Sequence, residues 1–417
     1  GTDLTLMHLV TQEFDDRTPS LAVETGGGLV GQNERGPADQ GTRDPDPLAL
    51  PLPYPVYCRA GVRQCIGEIA HRVAPSHRVA VISDSAVARL HGEAIAAQFP
   101  ADRTRLFTVP PGEQEKTRHR WAELTDALLE WGAGRDTTVV AVGGGVIGDL
   151  AGFVAATFMR GLPLVQVPTT LLAMVDASVG GKTAVDTPVG KNLVGAFHNP
   201  SAVVIDPELL DTLPHDVLRS GFAEMIKHGV IADAPYFDAV LHFAGAVRDH
   251  GASAPNFAAT ITTLITGSVR IKADVVAADS REGGLRQILN FGHTIAHAVE
   301  RVLNFELLHG DAVAIGMVAE ARIAESIGLA REGLSMAIAD AVERAGLPSR
   351  LPAGIRLDDL IAATHGDKKA RGGAARYSLP RGIGAMEAAE GKWAVAVTDE
   401  VVKSALHASG PDSPSEI

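Results

Sequence analysis

Residues 137–149 read Thr137-Thr-Val-Val-Ala-Val-Gly-Gly-Gly-Val-Ile-Gly-Asp149, so an apolar run passes directly into a glycine-rich turn. A short β-branched run that ends in glycines is typical of a buried β-strand. The G-x-G-x-x-G spacing of Gly143, Gly145 and Gly148 predicts a tight turn into a helix, whose first N–H groups could hold a phosphate. The same glycines would suit a packing turn without a ligand, so both interpretations stay open on this motif alone.

The alternation of strands and helices extends from this turn in both directions. Further strands are predicted at residues 78–83, 105–109 and 162–167, with helices that end near residues 98 and 132. Such alternation is typical of a mainly parallel sheet. Beyond residue 209 the strand signals fade, and helical apolar spacing recurs at residues 218–230, 256–276, 294–302, 312–327 and 335–345.

We therefore expect an α/β, Rossmann-like N-terminal domain at residues 51–208 and an all-α C-terminal domain at residues 209–405. A site in the cleft between two such domains is the default expectation. Residues 1–50 are rich in Gly, Pro, Asp and Thr and are expected to form a disordered extension, and residues 406–417 a flexible tail.

Composition excludes several classes of function. The net charge of -13 over 417 residues argues against nucleic-acid binding, which needs a basic surface. Cys58 and Cys65 form neither a disulfide framework nor a zinc spacing, and no signal peptide is visible, so we expect a cytoplasmic protein. The longest apolar stretch, residues 139–158, contains Asp149 and five glycines, so no membrane span is expected.

Histidines are concentrated in the second half of the chain. The stretch Arg286-Gln-Ile-Leu-Asn-Phe-Gly-His-Thr-Ile-Ala-His297 places two imidazoles four residues apart, on one face of a helix. A second predicted helix carries an acidic residue and a further histidine at the same spacing. A catalytic zinc site usually takes three protein ligands, and the spacing leaves five candidates: Glu224, His228, His293, His297 and His309.

The segment Gly180-Gly-Lys-Thr183 has the appearance of the end of a P-loop. That motif needs a glycine five residues before the second glycine, and Asp176 stands there, so the pattern fails. Lys182 nevertheless belongs to a polar, glycine-rich run that continues to Asn192. The run could be a solvated loop or a loop of a binding site.

Together these motifs resemble those of the sugar phosphate cyclases, and most closely the 3-dehydroquinate synthase family. The resemblance covers about residues 54–400. It rests on Pro111-Gly-Glu-Gln-Glu-Lys116 and on residues 143–149, 160–161, 168–173, 176–183, 190–192, 223–227, 286–300, 309–316 and 367–369.

The resemblance implies a set of site residues. The metal, normally zinc with cobalt possible, would be held by Glu224, His293 and His309. Groups facing the sugar phosphate substrate would be Asp176, Lys182, Asn192, Lys227, Lys272, Arg286, Asn290, His297 and Lys368. Arg160 would reach the phosphate of a neighbouring subunit's substrate, which implies a homodimer. NAD would lie against Asp84, Glu113, Lys116, Gly144, Gly145, Asp149, Thr169, Thr170, Lys182 and Lys191, with Leu209 and Thr212 near its nicotinamide end.

The implied reaction converts 3-deoxy-D-arabino-heptulosonate 7-phosphate into 3-dehydroquinate and phosphate, a step of the shikimate route to aromatic amino acids. It proceeds by transient oxidation with NAD+, β-elimination of phosphate, re-reduction, ring opening and intramolecular aldol closure. Lys182, Lys227, Lys272 and Arg160 would hold the phosphate. Arg286 and Asn290 would contact the rest of the anionic substrate, and His297 is a candidate proton relay.

Three alternatives remain in view. Another cyclase on the same scaffold could use a different sugar phosphate, as aminodehydroquinate, 2-epi-5-epi-valiolone and 2-deoxy-scyllo-inosose synthases do. Lys272, Arg286, Asn290 and His297 favour a substrate that bears a carboxylate, although the amino analogue is harder to separate. A metal-dependent alcohol or glycerol dehydrogenase, or a binding protein without catalysis, would share the two-domain plan. The chain departs mildly from the family at Ala86, His228, Ala296 and Asp311.

Overall fold

A computed structural model describes residues 45–365, 375–388 and 392–407. The described residues all belong to one compact unit, and the division at residues 208 and 209 stays a prediction. Most of the predicted N-terminal extension, and residues 408–417 of the predicted tail, lie outside the described residues. The strands of the first half are β1 (Val56–Cys58), β2 (Arg78–Asp84), β3 (Thr104–Val109), β4 (Thr137–Gly143), β5 (Leu164–Pro168), β6 (Lys182–Thr187), β7 (Gly190–Phe197) and β8 (Ala202–Ile205).

A six-stranded parallel sheet organises this half, with strand order β1-β8-β5-β4-β2-β3. Every residue of β4 is buried, as expected of a strand covered on both faces. Alternate residues of β2 belong to two different hydrophobic cores: Val79 and Val81 pack into one, and Ala80 and Ile82 pack into the other. This period of two follows from strand geometry and fixes which face each side chain serves.

Eleven α-helices of eight residues or more are described. They are α1 (Ile66–Val73), α2 (Arg118–Glu130), α3 (Gly145–Thr157), α4 (His215–Ala232), α5 (Ala234–His250), α6 (Phe257–Ala278), α7 (His293–Val302), α8 (His309–Ser326), α9 (Leu334–Arg344), α10 (Leu357–His365) and α11 (Asp399–His407). Four short strands, β9 (Arg376–Tyr377), β10 (Pro380–Gly382), β11 (Ala385–Met386) and β12 (Val395–Ala396), pair as β10 with β11 and β12 with β9.

The core on one face of the sheet continues into the helical half. The same cluster of buried side chains contains Val165 and Val167 of β5 together with Met225 of α4 and Ile265 of α6. The opposite face is covered by α2 and α3 through residues such as Leu128 and Leu150. The helical half therefore packs onto the sheet, and the loop that follows β5 lies between the two.

The structure departs from the expectations in several elements. The polar run at residues 182–197 forms the antiparallel hairpin of β6 and β7 instead of an irregular loop. The 17-residue helix α5 was not predicted, although Asp233 caps its first turn by accepting from the N–H of Tyr236 and a proline follows the cap. Among the described helices, none combines the length and the apolar composition that crossing a membrane requires.

Candidate active site

Three potential metal ligands meet where three helices converge. Glu224 lies on α4, and His293 and His309 are the first residues of α7 and α8. One ligand atom from each lies within 4.8 Å of the others. The Nε2 atoms of His293 and His309 stand 3.4 and 3.7 Å from Oε1 of Glu224. Two imidazoles and one carboxylate form a three-ligand set that can leave a fourth position open.

The state of Glu224 shows that this set suits a cation. Its side chain is fully buried, and neither carboxylate oxygen accepts a hydrogen bond from a described residue. The ammonium of Lys227 lies against Oε2 as an ion pair. Burial raises the pKa of Glu224, but Lys227 and His293 overcome this and hold the pKa below its ordinary value. A buried, ionised carboxylate beside two imidazoles fits a divalent metal.

His309 sits between two carboxylates. Its Nδ1 lies 3.3 Å from Oε1 of Glu300, and its Nε2 faces Glu224. Burial alone would favour the neutral ring, yet Glu224 and Glu300 raise the pKa of His309 to about 10. A metal that takes Nε2 must therefore displace a proton.

A second cluster shares Glu224 but is less suited to a cation. Ligand atoms of Asp176 and His228 also lie within 4.8 Å of the carboxylate of Glu224. The ammonium of Lys272 stands 2.6 Å from Oδ1 of Asp176, and Lys227 is close by, so positive charge already occupies this cluster. Burial and Lys227 lower the pKa of His228 to about 3, which keeps its ring neutral.

His297 and His293 serve different places in spite of their helical spacing. Their rings stand edge to face, with centroids 5.5 Å apart, and His297 is outside the group of mutually close ligand atoms around Glu224. Because His293 opens α7, its ring points across to α4, whereas His297 lies one turn further along the helix. The geometry thus favours His293 over His297 as a ligand, which spacing alone left undecided.

Glu282 joins two of the predicted substrate groups. Its Oε2 accepts from Nζ of Lys182 at 2.5 Å, and its Oε1 accepts from Nδ2 of Asn290 at 2.7 Å. Glu282 was not among the predicted site residues. It lies in the irregular segment after α6 with a positive φ of 61°, so no periodic pattern could have identified it.

Arg286 is buried and ties two loops together. Its guanidinium donates to the carbonyl oxygens of Gly180 at 3.0 Å and Ser280 at 2.8 Å, while its Nε has no hydrogen-bond partner among the described residues. Burial lowers the pKa of Arg286. Lys272 is also nearly buried, and burial lowers its pKa in spite of Asp176.

The glycine-rich turn at the end of β4 is shaped mainly by packing. A Cβ on Gly143 would lie 2.6 Å from Cβ of Ile147, and one on Gly144 or Gly148 would lie 3.0 Å from a side chain of a neighbouring segment. Gly145 is different, because its Cβ would make only an ordinary contact with Ala177. The first N–H groups of α3 open at this turn, which suits an anionic group.

A buried ammonium lies beside this turn. Lys116 is only 4% exposed, and its Nζ contacts Glu113 at 2.9 Å, Asp149 at 3.4 Å and Asp186 at 3.8 Å. Burial lowers the pKa of this ammonium, but the three carboxylates overcome that and raise it. Burial raises the pKa of Asp149 to about 6 although Lys116 opposes the shift.

The remaining predicted cofactor residues line the carboxyl edge of the sheet or the segments that follow it. Thr169 donates its N–H to Gly143 and keeps a buried hydroxyl without a described partner, and Thr170 accepts from the N–H of Ala173. Asp84 uses Oδ1 to cap the helical turn after β2. Leu209 and Thr212 belong to the short helix Pro207–Thr212, where the hydroxyl of Thr212 bonds His91 at 2.8 Å.

The β6–β7 hairpin connects the surroundings of the candidate metal ligands with the predicted cofactor residues. Lys191 contacts Glu300 at 3.2 Å and Glu113 at 3.6 Å, so it reaches both the surroundings of the candidate metal ligands and a predicted cofactor residue. Asn192 has a φ of 54° and donates its N–H to Asp186 at 2.8 Å. Lys368 lies outside the described residues.

Arg160 is the one described site residue that the fold places elsewhere. It follows α3, which runs from the carboxyl edge of the sheet back to the amino edge over 13 residues. A helix of that length spans about 20 Å. Arg160 is exposed at the opposite edge from the glycine turn.

Comparison with known proteins is consistent with this geometry. The family profile described as 3-dehydroquinate synthase N-terminal matches residues 106–220, and the C-terminal profile matches residues 221–370. The 3-dehydroquinate synthase of Symbiobacterium thermophilum is 47% identical over 331 residues, which cover 78% of this chain and 91% of that protein. The 3-dehydroquinate synthase of Nostoc punctiforme is 44% identical over 78% of this chain and 86% of its own length.

Several solved structures are also similar to this chain. A 2-deoxy-scyllo-inosose synthase complexed with carbaglucose-6-phosphate, NAD+ and Co2+ aligns with a TM-score of 0.76 at 26% identity, over 85% of this chain and 97% of that one. A 2-epi-5-epi-valiolone synthase from Streptomyces hygroscopicus with NAD+ and Zn2+ aligns with a TM-score of 0.74 at 30% identity, over 86% and 96%. A probable glycerol dehydrogenase from Sinorhizobium meliloti, 18% identical with a TM-score of 0.56 over 85% and 95%, shares the fold alone.

Proposed function

This chain belongs to the 3-dehydroquinate synthase family, and we propose that it converts 3-deoxy-D-arabino-heptulosonate 7-phosphate into 3-dehydroquinate and phosphate. In this proposal Glu224, His293 and His309 hold a divalent metal, zinc or cobalt. NAD lies beside the glycine turn in this proposal, and the two solved cyclase structures each contain NAD+. The bound metal supplies Lewis-acid polarisation of a substrate oxygen, and NAD supplies reversible hydride acceptance.

The observation that carries the proposal is the charge of the cluster beside the metal ligands. Three lysines form ion pairs with three acidic side chains: Lys182 with Glu282, Lys227 with Glu224 and Lys272 with Asp176. Arg286 adds a fourth positive charge, which interacts electrostatically with Glu282 and Asp176. A divalent cation on Glu224 would add further positive charge. The cluster would then attract a substrate that carries both a phosphate and a carboxylate.

The acidic partners keep these cations in place and leave them able to exchange partners. Lys182 and Asn290 both bond Glu282, so a substrate anion can take over one donor while Glu282 keeps the other. We assign Lys182, Lys227 and Lys272 to the phosphate, and Arg286 and Asn290 to the remainder of the anionic substrate. His297 lies next to the ligand His293 and is the proton relay of this proposal.

A comparison of substrates tests the choice among cyclases. The purified protein, supplied with NAD+ and zinc, is incubated with the heptulosonate 7-phosphate or with sedoheptulose 7-phosphate, which lacks the carboxylate. We expect phosphate release from the first only, without net accumulation of NADH. Release from sedoheptulose 7-phosphate alone would favour another cyclase activity, and NADH accumulation with a simple polyol would indicate a dehydrogenase.

The position of Arg160 supports a homodimer as part of the proposal. Phe197 at the end of β7 is 59% exposed and Met159 is 37% exposed, and Nε2 of His198 bonds the carbonyl oxygen of Leu162 at 2.9 Å. An exposed apolar group of this kind often marks an interface between chains. Pairing there would carry Arg160 towards a partner's substrate phosphate. A cytoplasmic location also stays a prediction, to which the free thiols of Cys58 and Cys65 conform.

A further inference from the structure

One face of α7 presents a carboxylate as well as two histidines. His293, His297 and Glu300 follow at i, i+4 and i+7, which places them along one stripe of the helix. The side chain of Glu300 is only 2% exposed. Burying an ionised carboxylate costs free energy unless the carboxylate is paired, so the partners of Glu300 indicate its role.

Glu300 has two such partners on different elements. Its Oε1 lies 3.3 Å from Nδ1 of His309 and 3.2 Å from Nζ of Lys191. Lys191 donates to this carboxylate, and His309 can donate to it from Nδ1. Lys191 is itself held, because its ammonium stands 4.3 Å from the centroid of the Phe305 ring and 3.6 Å from Glu113.

We propose that Glu300 is a positioning residue for the metal site. By accepting the proton of Nδ1 it fixes the tautomer and the ring plane of His309, so that Nε2 faces Glu224 and the metal. The inference rests on the metal set of the proposed function and adds a residue to it. A carboxylate behind a ligating imidazole also makes the imidazole a better donor.

The ring of His309 also lies near the rings of His293 and His297, with centroids 5.3 and 6.4 Å away, but it is only partly enclosed. Its side chain is 32% exposed and it begins α8, so the helix does not enclose it on every side. Without Glu300 the Nδ1 side of the ring would lose its hydrogen-bond partner, so the ring would be held less firmly, and Lys191 would lose its ion pair with α7. Loss of such an outer partner typically weakens metal binding about 10- to 100-fold.

Metal affinity, measured by competition between the protein and a chromophoric chelator for Zn2+ or Co2+, tests this role without any turnover. We expect Glu300→Ala to weaken affinity about 10- to 100-fold and to change the visible spectrum of bound Co2+. Glu300→Asp keeps the charge but places the carboxylate one methylene further from His309, and it should also weaken binding. Glu325→Gln is the matched control, because Glu325 likewise bonds two donors, from Ser335, away from the ligands.

His309→Ala separates failure of this inference from failure of the proposed function. If His309→Ala loses the metal while a folded Glu300 variant keeps wild-type affinity and the wild-type Co2+ spectrum, the positioning role is wrong. If His309→Ala itself keeps the metal, the proposed ligand set is wrong. Should Glu300→Ala fail to fold, Glu300→Asp carries the test, and wild-type affinity in that variant overturns the inference.

Discussion

At the scale of single residues, the proposed metal site depends on the ionised carboxylate of Glu224. It has no described hydrogen-bond donor, yet it faces two imidazoles and an ammonium. The change Glu224→Gln replaces one carboxylate oxygen by an amide nitrogen, which removes the negative charge and one of the two oxygen atoms that Glu224 offers to a metal. Metal content and folding can be measured separately in this variant.

We predict that Glu224→Gln loses its metal and its turnover while it keeps its fold. Zinc content after gel filtration should fall to background, because one of three ligands is lost. Lys227 would then be a buried ammonium without its partner, so stability should also fall. Elemental analysis and circular dichroism measure the two effects. Zinc retained at one equivalent with normal turnover would refute the ligand assignment.

How much of the site could be predicted from sequence differs from residue to residue. Spacing placed His293 and His297 on one face of a helix but could not say which of them binds metal, because the answer depends on where α4 crosses α7. Glu282, Glu300 and Glu320 escaped prediction for a related reason. Each acts through partners at least eight residues away, and a single carboxylate in a helix or a loop carries no motif.

At the scale of elements, Glu320 of α8 holds the first turn of α7. Its carboxylate is fully buried and accepts from the backbone N–H groups of Gly292 at 2.8 Å, Thr294 at 3.1 Å and Ile295 at 3.2 Å. These are the N–H groups that a helix leaves without partners at its start. The helix that carries His293 is therefore fixed by its neighbour.

We predict that Glu320→Gln loosens this turn. A neutral amide accepts less strongly and turns a donor towards the backbone N–H groups, so we expect a loss of about 1–3 kcal/mol of unfolding free energy in urea. Amide hydrogen exchange at residues 293–297 should accelerate. Glu325→Gln should leave exchange at those residues unchanged. Unaltered exchange in Glu320→Gln would show that packing alone holds the turn.

Close approach of helices sets the distance between the histidines. A Cβ on Gly316 of α8 would overlap the carbonyl oxygen of Gly292, and one on Gly310 would overlap that of Ser220 in α4. Gly245 in α5 offers a matched control, because nothing lies within 4 Å of its Cβ position. Gly316 and Gly310 thus let α8 lie directly against both neighbours.

We predict opposite effects for two glycine-to-alanine changes. Gly316→Ala should lower the unfolding free energy by about 1–3 kcal/mol or more, because the helices must separate. Gly245→Ala should raise it by up to about 1 kcal/mol, because alanine is the better helix former. Thermal and urea denaturation give both values. Equal effects of the two changes would contradict the described contact between α7 and α8.

Elements were predicted with uneven success, and the reasons are physical. The buried runs of β2 and β4 and the periodic helices α4, α6 and α8 carry strong local patterns, and the structure contains them. The hairpin of β6 and β7 was not predicted because β7 (Gly190–Phe197) is mostly exposed. Its side chains do not alternate between buried and exposed, as those of a half-buried strand do. The four-residue β8 is too short to be identified without its neighbours.

At the scale of the whole molecule, Arg160 lies at the edge of the sheet opposite the glycine turn. We predict that mixing Arg160→Ala with Glu224→Ala restores activity that neither variant shows alone. A heterodimer would have one complete site, built from the intact cluster of one chain and the Arg160 of the other. Unfolding and refolding the mixture should recover about a quarter of wild-type turnover, since half of the dimers carry one working site. No recovery would argue against a shared site.

In the proposed function, one cluster of side chains binds a metal, NAD and an anionic sugar phosphate. The most direct test is phosphate release from 3-deoxy-D-arabino-heptulosonate 7-phosphate by protein stripped of metal with a chelator, followed with and without added zinc and NAD+. We predict release only when both are present, with 3-dehydroquinate formed in equal amount and no lasting NADH absorbance. Release that proceeds at the same rate without zinc, or that leaves NADH in proportion to product, would contradict the account.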